Sequence, residues 1–212
     1  MPNESLDLRN GGKGLQVLVS RAIGVDGGCS VRLRQLTEHQ VDVFVTTPFE
    51  VVVSRRVEGK ASRDGAVVSA YLLQQELLKH NAVGKLELGP ARDPVWPGAL
   101  PPMDGFRLLD HLPVEVVREL ADAGQALARQ FSGPLGPPSS LMNQTVVTVE
   151  GHGKQVEVPM RVIFACTSLG LIPGFSAPTD VPRHLRVAAK GRWVRLDAPF
   201  GTVYHSNRLS LF

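Results

Sequence analysis

Residues 159–173 read PMRVIFACTSLGLIP, and the fold of the C-terminal half turns on whether they form a strand or a helix. The β-branched and aromatic residues suit a buried strand. The two ends argue for a helix. Pro159 suits a helix start, and Gly170 followed by apolar Leu171 is the pattern of a glycine stop whose next residue folds back to pack. A helix is therefore the reading adopted. Beyond it come a proline-rich crossing and three short strands, HLRVAAK (184–190), RWVRLDA (192–198) and GTVYH (201–205). In the middle strand Trp193 and Arg195 share one face, opposite Val194 and Leu196. Upstream, TVVTVE (145–150), the turn GHGK (151–154) and QVEVP (155–159) read as a β-hairpin.

Residues 1–12 read as a polar arm. The GGKG stretch (11–14) lacks the spacing of a phosphate-binding loop, and no Ser or Thr follows Lys13. It is taken as a flexible lead-in. Leu15, Leu18, Val19, Ala22 and Ile23 then recur at helical spacing, with Gly24 as the stop. The period changes to two in CSVRLRQL (29–36), where Val31 and Leu33 point inward and Arg32 and Arg34 are expected in water. QVDVFVTT (40–47) and PFEVVVSRRVEG (48–59) complete an antiparallel meander. Ser69 caps a helix running to about His80, with Ala70, Leu73 and Leu77 buried.

GPARDPVWPGALPP (89–102) holds five prolines and is a stiff extended crossing anchored by Trp96. A helix starts at Pro113. Its apolar stripe is Val117, Leu120, Gly124, Leu127 and Phe131, and Gly124 lets another element approach closely. SGPLGPPSS (132–140) is a second breaker. The expected fold class is α+β, with two antiparallel β-rich portions, about four helices and Pro-rich crossings between them. The expected divisions are 1–88, 89–140 and 141–212.

With 212 residues, 43% hydrophobic and 20% charged, the chain can bury a sizeable core and is not a disordered tail. A net charge of +3 fits an anionic partner without demanding one. Cys29 and Cys166 lie in apolar surroundings and read as two buried free thiols of a reducing compartment; a single disulfide stapling the halves is the other reading. The N-terminus lacks an apolar signal core, and no apolar run reaches the ~18 residues of a membrane span. A cytoplasmic protein with no membrane partner is expected.

His39, His80, His111, His152, His184 and His205 are scattered singly, without metal-ligand spacing. No nucleophile elbow or dinucleotide fingerprint occurs. No catalytic residue, metal or cofactor is assigned. The remaining signal is a basic row, Arg183, Arg186, Lys190, Arg192, Arg195 and Arg208, interleaved with His184, Trp193, Tyr204 and His205 and opposed only by Asp197. Arginines with aromatics can engage phosphates and stack on bases. A helix followed by a basic hairpin also looks like the recognition helix and wing of a winged helix, although a β-hairpin stands where the preceding helix should be. The plainer reading is a solvated sheet face paired with Glu150, Glu157 or Asp180.

Three functions follow. First is a non-enzymatic binding or scaffold protein whose partner is another protein or a second copy of itself. Second is a nucleic-acid-binding regulator using the C-terminal arginines. Third is an enzyme with a site between the halves, near Trp96.

The segments SVRLRQ (30–35), TTPFEVVVSRRVEG (46–59), LPPMDGFRLLDHLPVEVVRELADAG (100–124), and LGLIP (169–173) with RWVRLDAPFGTVY (192–204) resemble segments of a family of uncharacterised actinobacterial proteins. The resemblance covers most of the chain. It implies a bacterial cytosolic origin and no particular chemistry.

Overall fold

The computed structural model describes residues 3–131 and 137–206. They form an α+β protein of antiparallel strands and five α-helices, which divides into two compact units. One comprises Met1–Pro48 and Val52–Met103; the other comprises Phe49–Val51 and Asp104–Phe212.

In the first unit the elements are β1 (Asn3–Asn10), α1 (Gly12–Val25), β2 (Ser30–Thr37), β3 (Gln40–Thr46), β4 (Val52–Ala61), β5 (Val67–Ser69), α2 (Ala70–Lys79) and β6 (Gly84–Pro90). The strands run in the order β5-β2-β3-β4-β1-β6, every neighbour antiparallel. The two helices pack on each other and on this sheet. The expected meander is β2-β3-β4, and the expected stripe of Ala70, Leu73 and Leu77 is buried on α2.

The expected polar arm is instead a strand. Leu6 and Leu8 alternate with Ser5 and Asp7, both leucines are fully buried, and β1 is hydrogen-bonded on both sides. Nor is the glycine stretch a flexible lead-in. Gly11 has φ 83, which turns the chain out of β1, and a Cβ on Gly12 would sit 1.9 Å from the Ala82 carbonyl oxygen. Helix α1 also continues through Gly24 to Val25.

Arg32 and Arg34 share one face of β2, but Arg34 is buried rather than in water. Its guanidinium lies over the Phe44 ring, 4.6 Å from the centre, and donates to the Pro101 carbonyl at 2.6 Å. Arg32 lies over buried Trp96 at 5.9 Å. The proline-rich stretch thus covers this outer face, anchored by its tryptophan. Alongside, Asp42 is buried and accepts two bonds from Arg56, at 2.8 and 3.1 Å. Charge is tolerated on this face because each head group meets a ring or an acceptor.

The second unit contains β7 (Arg107–Pro113), α3 (Val114–Phe131), α4 (Ser139–Asn143), β8 (Thr145–Gly151), β9 (Lys154–Pro159), α5 (Met160–Ser168), β10 (His184–Lys190), β11 (Trp193–Ala198) and β12 (Gly201–Ser206). Strands β12-β11-β10-β7 form one antiparallel sheet, and β8-β9 form a hairpin. Pro113 ends β7, so α3 starts one residue later than expected. Along α3 the stripe is buried at Val117 and Gly124, with Leu120 half-buried, and at Gly124 a Cβ would lie 2.7 Å from Met160 Sδ of α5. Leu127 and Phe131 are 40% and 66% exposed, so the stripe outlasts the packing.

Met160–Ser168 is a helix, as its ends suggest. The Gly170 N–H donates to Thr167 O at 3.1 Å and the Leu171 N–H to Cys166 O at 2.9 Å, while Gly170 takes φ 64 and Leu171 is buried. This is the glycine-terminated stop that satisfies the last carbonyls. Met160 through Cys166 are all buried, which explains the strand-like composition: a helix covered on every side needs no polar face. The preceding hairpin turns on two residues rather than four, with His152 at φ 50 and Gly153 at φ 72. Two successive positive φ values make the primed turn that matches strand twist.

Cys29 and Cys166 are free and buried, so the disulfide reading fails. Burial pushes their thiols up to about 11 and about 12 respectively. Among the described residues, no helix is long and apolar enough to cross a membrane.

Candidate binding face of the C-terminal sheet

Register decides which side chains share the outer face of the second unit's sheet. Arg186 is opposite Asp197, Ala188 opposite Arg195, and Lys190 opposite Trp193. On β12, Tyr204 is opposite Arg195, and on β7, His111 is opposite Arg186. The inner face carries Leu185, Val187, Val194, Leu196 and Val203, all buried. Trp193 and Arg195 thus share a face, as the alternation requires. His205 does not join them: it is in register with Val194.

The face is less free than its arginine content suggests. Arg195 is half-buried, ion-paired with Asp197 at 2.9 Å and stacked over Phe106 at 4.7 Å. Phe106 in turn meets Tyr204 edge-on at 6.0 Å. Lys190 donates to the Asp104 carbonyl at 2.8 Å and reaches its carboxylate at 3.4 Å. Arg183 donates to the Gly174 and Ala177 carbonyls at 3.0 and 2.8 Å, closing the loop before β10. The partners are therefore Asp197, Asp104 and backbone carbonyls, in place of Glu150, Glu157 or Asp180.

Two members stay uncommitted. Arg186 is exposed without a hydrogen bond or ion pair among the described residues, and Arg192 is exposed with only the Trp193 ring near its guanidinium, at 6.0 Å. Arg208 lies outside the described residues. The winged-helix layout does not hold: a recognition helix needs a face free to enter a groove, and α5 is buried from Met160 to Cys166.

One cation outside the row is more deeply placed than any of its described members. Arg161 in the first turn of α5 is buried, donates to Phe49 O at 3.1 Å and to Glu50 at 2.6 Å, and also bonds the Asn143 side chain. Phe106 was equally silent. Nothing in MDGFR marks its ring as the platform for an arginine almost ninety positions later, because that contact arises only from sheet register.

A search of curated proteins finds no match. Solved structures give a clear fold likeness at low identity. A putative DNA polymerase III beta subunit from Eubacterium rectale aligns with 100% of this chain and 66% of its own length, at 10% identity and TM-score 0.58. A DNA polymerase sliding clamp from Pseudomonas aeruginosa aligns with 100% of this chain and 65% of its own, at 14% identity and TM-score 0.56. The DnaN sliding clamp of Bartonella birtlesii aligns with 99% and 66%, at 11% identity and TM-score 0.57. This chain spans about two thirds of the length of each. What it shares with them is the fold.

Two family models divide the chain near the junction of its two units. The first, a domain of unknown function (DUF8010), matches residues 1–98, and the second, a domain of unknown function (DUF8185), matches residues 101–210. Since the second match takes in more than half of the sequence, this chain belongs to the uncharacterised DUF8185 family, with a DUF8010 domain ahead of it.

Proposed function

We propose that this protein is a non-enzymatic scaffold built on a sliding-clamp fold, meeting its partners through protein surfaces, a second copy of the chain included. A bacterial, actinobacterial cytosol is the setting that the sequence resemblance implies. The extent of the likeness carries the reading: the whole chain, through both units, follows the fold of DNA polymerase sliding clamps. Sedimentation across a wide concentration range tests it. A discrete oligomer that grows with concentration supports self-association. A monomer at every concentration, with no protein retained on an affinity column of the folded chain, overturns it.

A second reading rests on Arg186 and Arg192. Arg186 is exposed on β10 and Arg192 in the β10–β11 turn, neither with an ion pair among the described residues, in a fold shared with DNA polymerase clamps. The measurement is a titration against duplex and single-stranded DNA at several salt concentrations. Two phosphate contacts would give a slope of about −2 in log K against log salt. Absence of binding at low salt, or unchanged binding in the Arg186→Ala/Arg192→Ala double variant, sinks this reading. Arg195 is unsuited to that test because its guanidinium is already engaged.

A further inference from the structure

A concavity of about 240 Å³ opens within the second unit, where the β8–β9 turn, the β10–β11 turn and the start of β7 come together. Its charged lining is Arg107, Lys154 and Lys190, with His152 beside them and glycines 105, 151 and 191 supplying bare backbone.

The two lysines are positioned rather than free. Lys154 Nζ donates to the Gly191 carbonyl at 2.8 Å, tying one hairpin tip to the other. Lys190 Nζ donates to the Asp104 carbonyl at 2.8 Å. An ammonium carries three donors, so each retains capacity for a further acceptor. The glycines are part of the construction. A Cβ on Gly105 would lie 2.8 Å from Lys190 Nζ, and one on Gly151 would lie 2.8 Å from the Leu109 carbonyl oxygen. Gly105 also has φ 75 and Gly191 φ 54. Larger residues there would displace the lysine or the strand. Asp104, which pairs with Lys190, is itself exposed and reaches it only at 3.4 Å.

Three cations in the lining of one concavity, with no carboxylate among the described residues that line it, suit a compact, multiply charged anion. The size narrows the class. The volume is below the ~300–1,000 Å³ of sites for organic cofactors, and near eight times a water's share of roughly 30 Å³. That admits a phosphoryl group with its waters and not a whole nucleotide. We propose that this pocket binds a phosphate group, presented either by a small phosphate ester or by the end of a nucleic acid strand. The proposal stands apart from the scaffold reading and adds Arg107 and Lys154 to the residues with a role.

Glycine amides resolve well in nitrogen–proton spectra, so the full chain can be titrated with inorganic phosphate while chloride keeps ionic strength constant. The expected result is saturable movement of the Gly105, Gly151 and Gly191 amides, about tenfold weaker in Lys154→Gln, the loss of one charge-assisted hydrogen bond. Arg107→Gln, at an exposed position, provides a second variant with the same expectation. Amides that stay still up to tens of millimolar phosphate, or that move equally in both variants, overturn the proposal. A 5′-phosphorylated oligonucleotide that competes where its 5′-hydroxyl twin does not assigns the phosphate to a strand end. Competition by neither, with phosphate still binding, assigns it to a small ester.

Discussion

Arg195 lies over the ring of Phe106, its guanidinium carbon 4.7 Å from the ring centre, while the same group holds Asp197 at 2.9 Å. The outer face of the first unit's sheet is built alike, with Arg34 over Phe44 and Arg32 over Trp96. In both units an arginine on an alternating strand serves as a flat, charged filler beneath a covering stretch of chain. Its long side chain buries apolar area while its head finds a ring and an acceptor.

Replacing Arg195 with Ala should therefore lower stability by about 1 kcal/mol, mostly through the lost ring contact, since half-exposed ion pairs add little. Arg192→Ala should stay within about 0.5 kcal/mol of the parent. Urea denaturation of the two variants side by side checks the contrast. Equal effects would mean that the Phe106 contact adds nothing.

Gly12→Ala should destabilise the first unit far more than a helix substitution normally does. Alanine gains helix propensity of about 1 kcal/mol, but its Cβ would fall 1.9 Å from the Ala82 carbonyl oxygen, and backbone cannot step aside as a side chain can. The net expectation is a loss of about 2–3 kcal/mol, read as a lower urea midpoint. A neutral result would show that the α1 start can shift freely.

Arg161→Met removes a buried cation that serves Phe49, Glu50 and Asn143. Glu50 is 61% exposed, so its carboxylate keeps its water when the partner goes. The expected cost is about 1–3 kcal/mol, below that of breaking a fully buried pair. Thermal unfolding measures it, and Arg161→Lys should restore only part, because one ammonium cannot span three acceptors in a planar fork.

Acid should loosen the first unit through Asp93. Bonds from Arg63, then the Val67 N–H, hold this carboxyl below its ordinary 3.8. A depressed folded pKa means that the stabilisation is fully present above 3.8 and is lost as pH falls through the lower folded value. In Asp93→Asn that part of the acid dependence should vanish. The comparison is the urea midpoint of the two proteins from about pH 5 downward, at low and high salt, since the pair is largely exposed and salt should shrink the difference.

Where the sequence was legible, local chemistry and burial agreed. The β2-β3-β4 meander showed through alternation in its first two strands and a third β-rich run after them, and α5 was betrayed by its ends although its interior reads like a strand. Strands β1, β5, β6 and β7 were missed for a common reason. Each carries only a few buried residues, such as Leu6 and Leu8 or Leu86 and Leu88, and takes its identity from neighbours far away in the chain. The basic row was legible as composition but not as function. Nothing local distinguishes Arg186, which makes no hydrogen bond or ion pair among the described residues, from Arg195, which is stacked and paired.

The burial of α5 has a consequence for motion. A helix wrapped from Met160 to Cys166 has no partial opening that wets its backbone while its surroundings stay intact. Its amides should exchange with solvent hydrogen only when the whole second unit comes apart, at the free energy of unfolding that unit. The exposed end of α3 at Leu127 and Phe131 belongs to the opposite extreme, opening often and cheaply. The unit is thus graded along its helices, from a centre that yields last to a margin that yields first.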